Sequence, residues 1–152
     1  MAFVIDASVT LAWFLEDERT RFTDALLTAI DKAEYWAPAV WCLEVPNALL
    51  IAQRRRRIEA ARRLEAIDQA ARLPIQIDPA LPDMKAISAL AERHGLSAYD
   101  AAYLELARRQ AIGLVTLDRG LADAAAAEGV PVQSPGRSGL AQGRKRYPAR
   151  AA

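Results

Sequence analysis

An α/β domain with a mainly parallel sheet is what this sequence predicts, on two observations. Short apolar runs bounded by turn residues alternate with longer segments of helical periodicity, the pattern of parallel strands joined by helical crossovers. The chain has 152 residues, 53% hydrophobic and 26% charged, which suits one domain around one core.

The elements follow in order. Phe3-Val4-Ile5 reads as a short buried strand, and Ser8 to Leu15 as a helix. Arg19 to Lys32 reads as a second helix, with Phe22, Leu26, Ala29 and Ile30 at helical spacing. Tyr35-Trp36-Ala37 is a strand closed by Pro38. Val40 to Arg57 is a helix in which Pro46 introduces a kink. Ile58 to Leu73 is another, with Leu64, Ile67 and Ala71 on one face, and Ile75-Gln76-Ile77 is the next strand. Pro82 to His94 is a helix with Pro82 in its first turn and Gly95 as end cap. Ser97 starts a helix to about Ala111, Leu114 to Leu117 is a strand, Leu121 to Glu128 a helix, and Val130-Pro131-Val132 a last strand. The domain is expected to span residues 1–135. Residues 136–152 lack periodicity and read as a basic tail, either disordered or ordered by a partner.

Charge and composition exclude several function classes. The formal charge is +1, but five basic residues (Arg137, Arg144, Lys145, Arg146, Arg150) lie between Arg137 and the end with no acid among them. Setting those five aside from the 20 basic residues leaves the 19 acids in the majority. The body therefore does not coat nucleic acid by bulk charge, and any contact must use local patches. No apolar run approaches the roughly 18 residues of a membrane span. The N-terminus has no basic region before its short apolar run, so no signal peptide is expected. Cys42 is the only cysteine; it reads as a small buried hydrophobe and suits a cytoplasmic protein. A single histidine, His94, excludes a two-histidine acid–base ribonuclease. Trp13, Trp36 and Trp41 read as core or interface.

Four carboxylates carry the chemistry. In open parallel sheets, sites gather outside the carboxyl ends of strands. Asp6 follows the first strand and Asp118 the strand at Leu114. Either could instead cap the helix that follows it. Glu44 sits in the apolar segment Trp41–Leu50 with only Asn47, three residues on, as polar company. An acid there is costly unless paired, hydrogen-bonded or bound to a cation. Asp100 closes a capping-box pattern, Ser97-Ala98-Tyr99-Asp100, yet it also lies in line with Tyr103, Leu104 and Ala107. Thr116, two residues before Asp118, offers a hydroxyl on the same side of its strand. Clustered acids repel unless a cation neutralises them, and Mg2+ or Mn2+ takes oxygen ligands. Such a site needs no histidine, because the metal lowers the pKa of its water and stabilises the phosphate.

These residues carry a family resemblance. The stretches Val4-Ile5-Asp6-Ala7-Ser8, Pro38 through Glu44 to Asn47-Ala48-Leu49, Leu96 through Asp100 to Tyr103, and Leu117-Asp118-Arg119-Gly120-Leu121 resemble, in order and spacing, the PIN domain of VapC-type ribonuclease toxins. The resemblance covers about Phe3 to Val132. It implies a three-layer α/β/α sandwich and a metal-dependent endoribonuclease, the toxin of a toxin–antitoxin pair. Asp6, Glu44, Asp100 and Asp118 become the catalytic, Mg2+- or Mn2+-binding acids, and Ser8, Asn47 and Thr116 supporting residues. The implied partners are RNA and a cognate antitoxin.

The run Arg54, Arg55, Arg56 and Arg57 is either a solvated helix end, favourable to the helix dipole, or a set of RNA phosphate contacts. Large apolar side chains from Trp36 to Leu50 and around Tyr99, Tyr103 and Leu104 exceed what one core readily buries, and predict a homodimer with an antitoxin groove. Three rival readings stand beside the nuclease. A haloacid-dehalogenase phosphatase needs a second Asp where Ser8 stands. A receiver module needs a late lysine, and after Lys85 only Lys145 remains. A catalytically inactive PIN-like module would bind RNA or protein without cutting it.

Overall fold

The structure, a computed structural model, describes residues 1–137. Five strands form one sheet: β1 (Ala2–Ile5), β2 (Glu34–Ala37), β3 (Ile75–Ile77), β4 (Gly113–Val115) and β5 (Val132–Gln133). All pairings are parallel, in the order β3-β2-β1-β4-β5. Val4 and Ile5 on β1 and Leu114 and Val115 on β4 are fully buried. A strand covered on both faces reads as a continuous apolar run, which is why these segments do not alternate.

Seven helices join the strands: α1 (Ala7–Phe14), α2 (Arg21–Thr28), α3 (Trp41–Arg54), α4 (Ala60–Ala71), α5 (Met84–His94), α6 (Ala98–Gln110) and α7 (Arg119–Ala127). From β1 the chain steps outward through β2 to β3, then returns past β1 to β4 and on to β5. Right-handed crossovers put α1–α4 on one face and α5–α7 on the other. The helix contacts agree, with α1 on α2 and α3, α3 on α4, and α6 on α5 and α7. This is the expected three-layer sandwich. The strand order reverses between β1 and β4, so their carboxyl ends flank the crevice where open α/β sheets hold ligands.

β1 and β4 approach closely for a readable reason. Phe3 on β1 is in register with Gly113 on β4, and a Cβ at Gly113 would lie 2.6 Å from the Phe3 ring. The same ring stacks on Tyr35 of β2, with centroids 6.2 Å apart. Glycine therefore lets one aromatic ring seal three adjacent strands.

Several boundaries differ from the sequence reading. α2 ends at Thr28, beyond which Ile30–Lys32 forms a 3-10 turn; its start is fixed by a reciprocal capping box between Thr20 and Thr23. α5 begins after Pro82, because Asp83 takes the cap and accepts the Ala86 N–H at 3.0 Å. β4 ends at Val115, although the Thr116 N–H still reaches the Gln133 carbonyl. β5 starts only at Val132, since Pro131 has no N–H and the Val130 N–H closes back onto the Ala125 carbonyl in α7. α3 runs through Pro46 as one helix. α4 buries Ala66 and Ala70, leaving Leu64 54% exposed, so the predicted face is rotated.

Cys42 is exposed on α3, contrary to the buried role expected of it. The apolar surplus also shrinks. Tyr103 and Leu104 are core residues, and Leu43 (71%) and Tyr99 (63%) are the large apolar groups left open beside them. No helix among the described residues is long and apolar enough to cross a membrane. Of the expected tail's basic residues, Arg137 is described, its guanidinium 2.7 Å from Asp123 on α7. Arg144, Lys145, Arg146 and Arg150 lie outside the described residues.

Candidate active site

Asp6 occupies the N-cap position of α1 but does not cap it. Its Oδ2 instead accepts two hydroxyl hydrogen bonds, from Ser8 at 2.6 Å and from Thr116 at 2.8 Å. Each hydroxyl is oriented in turn by a backbone donor. The Leu117 N–H donates to Ser8 Oγ, and the Asp118 N–H to Thr116 Oγ1. Both hydroxyl protons are thereby aimed at one carboxylate oxygen, and the carboxyl end of β4 is stitched to the carboxyl end of β1.

Glu44 lies in the first turns of α3 and is half-buried. Its Oε1 accepts a hydrogen bond from the hydroxyl of Tyr103, 2.8 Å away on α6. Asp100 stands in the first turn of α6, whose Ser97 cap accepts the Asp100 N–H at 3.0 Å. Asp118 does cap, with Oδ1 accepting the Leu121 N–H at 2.8 Å. For Asp118, capping and site placement hold together.

The four acids feel one another. Burial pushes the Asp6 carboxyl up to about 6, against the two hydroxyl bonds, with Asp100 and Glu44 raising it further. Burial also raises Glu44, opposed by the Tyr103 bond and reinforced by Asp100. Asp100 is raised by burial first and then by Asp118, with Ser97 opposing. Tyr103 is driven far up by burial and by the flanking Asp6 and Glu44, so its hydroxyl stays a donor. The shifts of Asp6, Glu44 and Asp100 mark negative charge held in a poorly solvated place beside other acids.

Asp6, Glu44 and Asp118 share a further trait. Each has one oxygen pinned by the protein, while none of the hydrogen bonds of the described residues reaches the other oxygen. Among the described residues, no buried side-chain oxygen lacks a partner, so those second oxygens touch solvent. Among the described residues, no group of three or more His, Cys, Asp or Glu side chains stands close enough together to hold a metal ion. The donor set is oxygen only, and an open set of this kind suits a hard divalent cation that keeps several waters.

The supporting residues divide. Ser8 and Thr116 join the site, whereas Asn47 is exposed and hydrogen-bonds none of the acids. The residue that sequence reasoning missed is Tyr103, whose helical spacing within an apolar stripe disguised a buried polar handle. The arginine run is also divided. Arg57 makes a forked ion pair with Asp17 and Glu18, both at 2.8 Å. The helix ends at Arg54, and Arg56 adopts a left-handed turn. Arg54, Arg55 and Arg56 remain exposed.

Residues 3–127 match the family model of the PIN domain. Ribonuclease VapC3 of Pyrobaculum aerophilum is 32% identical over 126 residues, which span 81% of this chain and 94% of that protein. The fold is similar to the crystal structure of PAE2754 from Pyrobaculum aerophilum, with a TM-score of 0.65 and 23% identity over 87% of this chain and 92% of that one. It is also similar to VapBC2 from Rickettsia felis, solved bound to a DNA fragment from their promoter, with a TM-score of 0.64 and 11% identity over 88% of this chain and 98% of that one.

Proposed function

This chain belongs to the PIN-domain family, among the VapC-type toxins, and on that premise we propose that it is a metal-dependent endoribonuclease. The observation that carries the proposal is the acid cluster at the strand-order reversal, in which three carboxylates each keep one oxygen open to solvent. Asp6, Glu44, Asp100 and Asp118 would hold Mg2+ or Mn2+. When bound, the cation supplies charge neutralisation at the phosphate and a more acidic water. The chain's own residues prepare that place. Ser8 and Thr116 hold Asp6 ionisable and fixed in direction, the α7 N–H at Leu121 fixes Asp118, and Tyr103 fixes Glu44. Residues 1–135 form the nuclease domain in this reading.

Cleavage of a single-stranded RNA in Mg2+, abolished by chelator and restored by added Mg2+ or Mn2+, is the expected result. Sequencing the ends should show 5′-phosphate and 3′-hydroxyl termini. Absence of metal-dependent cutting by a folded, RNA-binding chain would move the assignment to an inactive PIN-like module.

RNA is the proposed substrate, and Arg54, Arg55 and Arg56 are its proposed phosphate contacts. Arg57 is committed to Asp17 and Glu18 and is left out. Replacing Arg54 and Arg55 together by Gln is expected to weaken RNA binding evenly across sequences. The slope of log affinity against log salt should flatten by about 1 to 2, as fewer counterions are released. Filter binding across a salt series measures this; an unchanged slope would return both residues to a solvated helix end.

The proposed protein partner is a cognate antitoxin, with the toxin itself a homodimer. Leu43 and Tyr99, adjacent in sequence to Glu44 and Asp100, leave apolar surface beside the acids. A basic side chain from a docked partner helix would neutralise the cluster there. Light scattering should give twice the 16.6 kDa chain mass. Co-expression with an adjacent small reading frame should relieve growth arrest and yield a complex. A harmless monomer with no co-purifying protein would remove the toxin assignment and leave the nuclease.

A further inference from the structure

We infer that Tyr103 is the positioning residue for Glu44: its buried hydroxyl holds Oε1 from across the helical layers, so that Oε2 is presented to the cation site. The inference rests on the four-acid reading above and deepens it.

The acids differ in how they are held. Asp6 has two hydroxyl donors on one oxygen, and its backbone is fixed by the β1 end, where its N–H reaches the Val115 carbonyl at 2.9 Å. Asp118 is held by the helix it caps. Glu44 has neither support. Its side chain carries an extra rotatable bond, and its helix passes Pro46 two residues on, where one backbone donor is missing. The Tyr103 hydroxyl is the one hydrogen-bond donor to the Glu44 carboxylate among the described residues. That donor is itself immobile. Tyr103 is fully buried, three residues beyond Asp100 on the same helix face, and shut in by a core that includes Leu104 and Leu106. One phenol thus ties α6, the helix that carries Asp100, to Glu44 on α3, 59 residues earlier in the chain than Tyr103. Trp41 reinforces the same end of α3, its indole N–H donating to Thr10 on α1 at 3.1 Å.

The test uses Tyr103→Phe, which removes one oxygen and keeps the ring, with Mn2+ as the calorimetric probe. Groups that orient metal ligands typically contribute ten- to a hundredfold to affinity. Tyr103→Phe is expected to weaken Mn2+ binding by about that factor. The rate at saturating RNA should fall with KM nearly unchanged, and excess Mn2+ should restore it. In a Glu44→Ala background the same change should have no further effect on Mn2+ affinity. Melting curves in chelator accompany each variant and separate loss of fold from loss of position. Mn2+ affinity of Tyr103→Phe within twofold of wild type would overturn the inference, as would an equal loss in both backgrounds. Wild-type protein that takes up no Mn2+ would remove the four-acid reading itself, and the inference with it.

Discussion

Asp6→Asn is expected to abolish RNA cleavage, by more than about a hundredfold, while making the metal-free protein more stable at neutral pH. The two effects share one cause. Asparagine keeps an acceptor oxygen for Ser8 and Thr116, so the hydrogen bonds that hold the side chain survive. What disappears is a charge buried at 4% exposure beside other acids. The sign follows from linkage. The Asp6 carboxyl rises from 3.8 to about 6 on folding, so its favourable contribution is complete below the unfolded value and is lost as pH rises through about 6. Asparagine never ionises. Above pH 6 it should exceed the wild type by up to about 3 kcal/mol, and near pH 4 the difference should vanish. Urea melts in chelator across that range measure the stability. A variant that is less stable at pH 7 and still cuts RNA would remove Asp6 from the site.

Gly113→Ala is expected to destabilise the fold by about 1 to 3 kcal/mol, although alanine is a small substitution. The added methyl would fall 2.6 Å from Phe3 Cδ1, 2.7 Å from Cε1 and 3.2 Å from the Pro131 carbonyl. The ring has little room to retreat, because it lies against Tyr35 on the neighbouring strand. The consequence reaches the site, since β1 and β4 lead directly to Asp6 and Thr116. In a Phe3→Ala background only the Pro131 carbonyl contact at 3.2 Å remains, and the same glycine change should cost less. A double-mutant cycle by denaturant melts resolves the coupling. Equal costs in both backgrounds would show that the glycine serves something other than this close approach.

Much of the architecture was legible because burial leaves a simple mark. A strand covered on both faces must be apolar at every position, so Phe3-Val4-Ile5 and the run at Leu114 declare themselves. Asp6 and Asp118 stand out because a charged residue directly ends such a run. Fine boundaries were less legible, because they depend on local competition. Asp83 displaces Pro82 as the start of α5, and Val130 gives its N–H to the end of α7 rather than to the sheet. Tertiary partners were the least legible. Arg57 reads as part of a cationic run until the fold brings Asp17 and Glu18 to it from about 40 positions away. Tyr103 reads as an apolar stripe residue, since nothing local says where its hydroxyl will end. Leu64 looked like a core residue because periodicity fixes the spacing of a face but leaves its rotation to packing.

The bond between Asp6 and Thr116 spans 110 positions of the chain, and that span has a consequence during synthesis. The first acid leaves the ribosome 110 residues before its clamp Thr116, and its last companion, Asp118, follows that clamp. β1 has no β4 to lie against until then, so a half-made chain holds Asp6 without Thr116, Asp118 or the stitched strand ends. If RNA cleavage needs all four acids, as proposed, the chain is inert until β4 has been made, while it is still surrounded by the messenger and ribosomal RNA that are producing it. The order of strands in the sheet delays assembly of the site until β4 has been made.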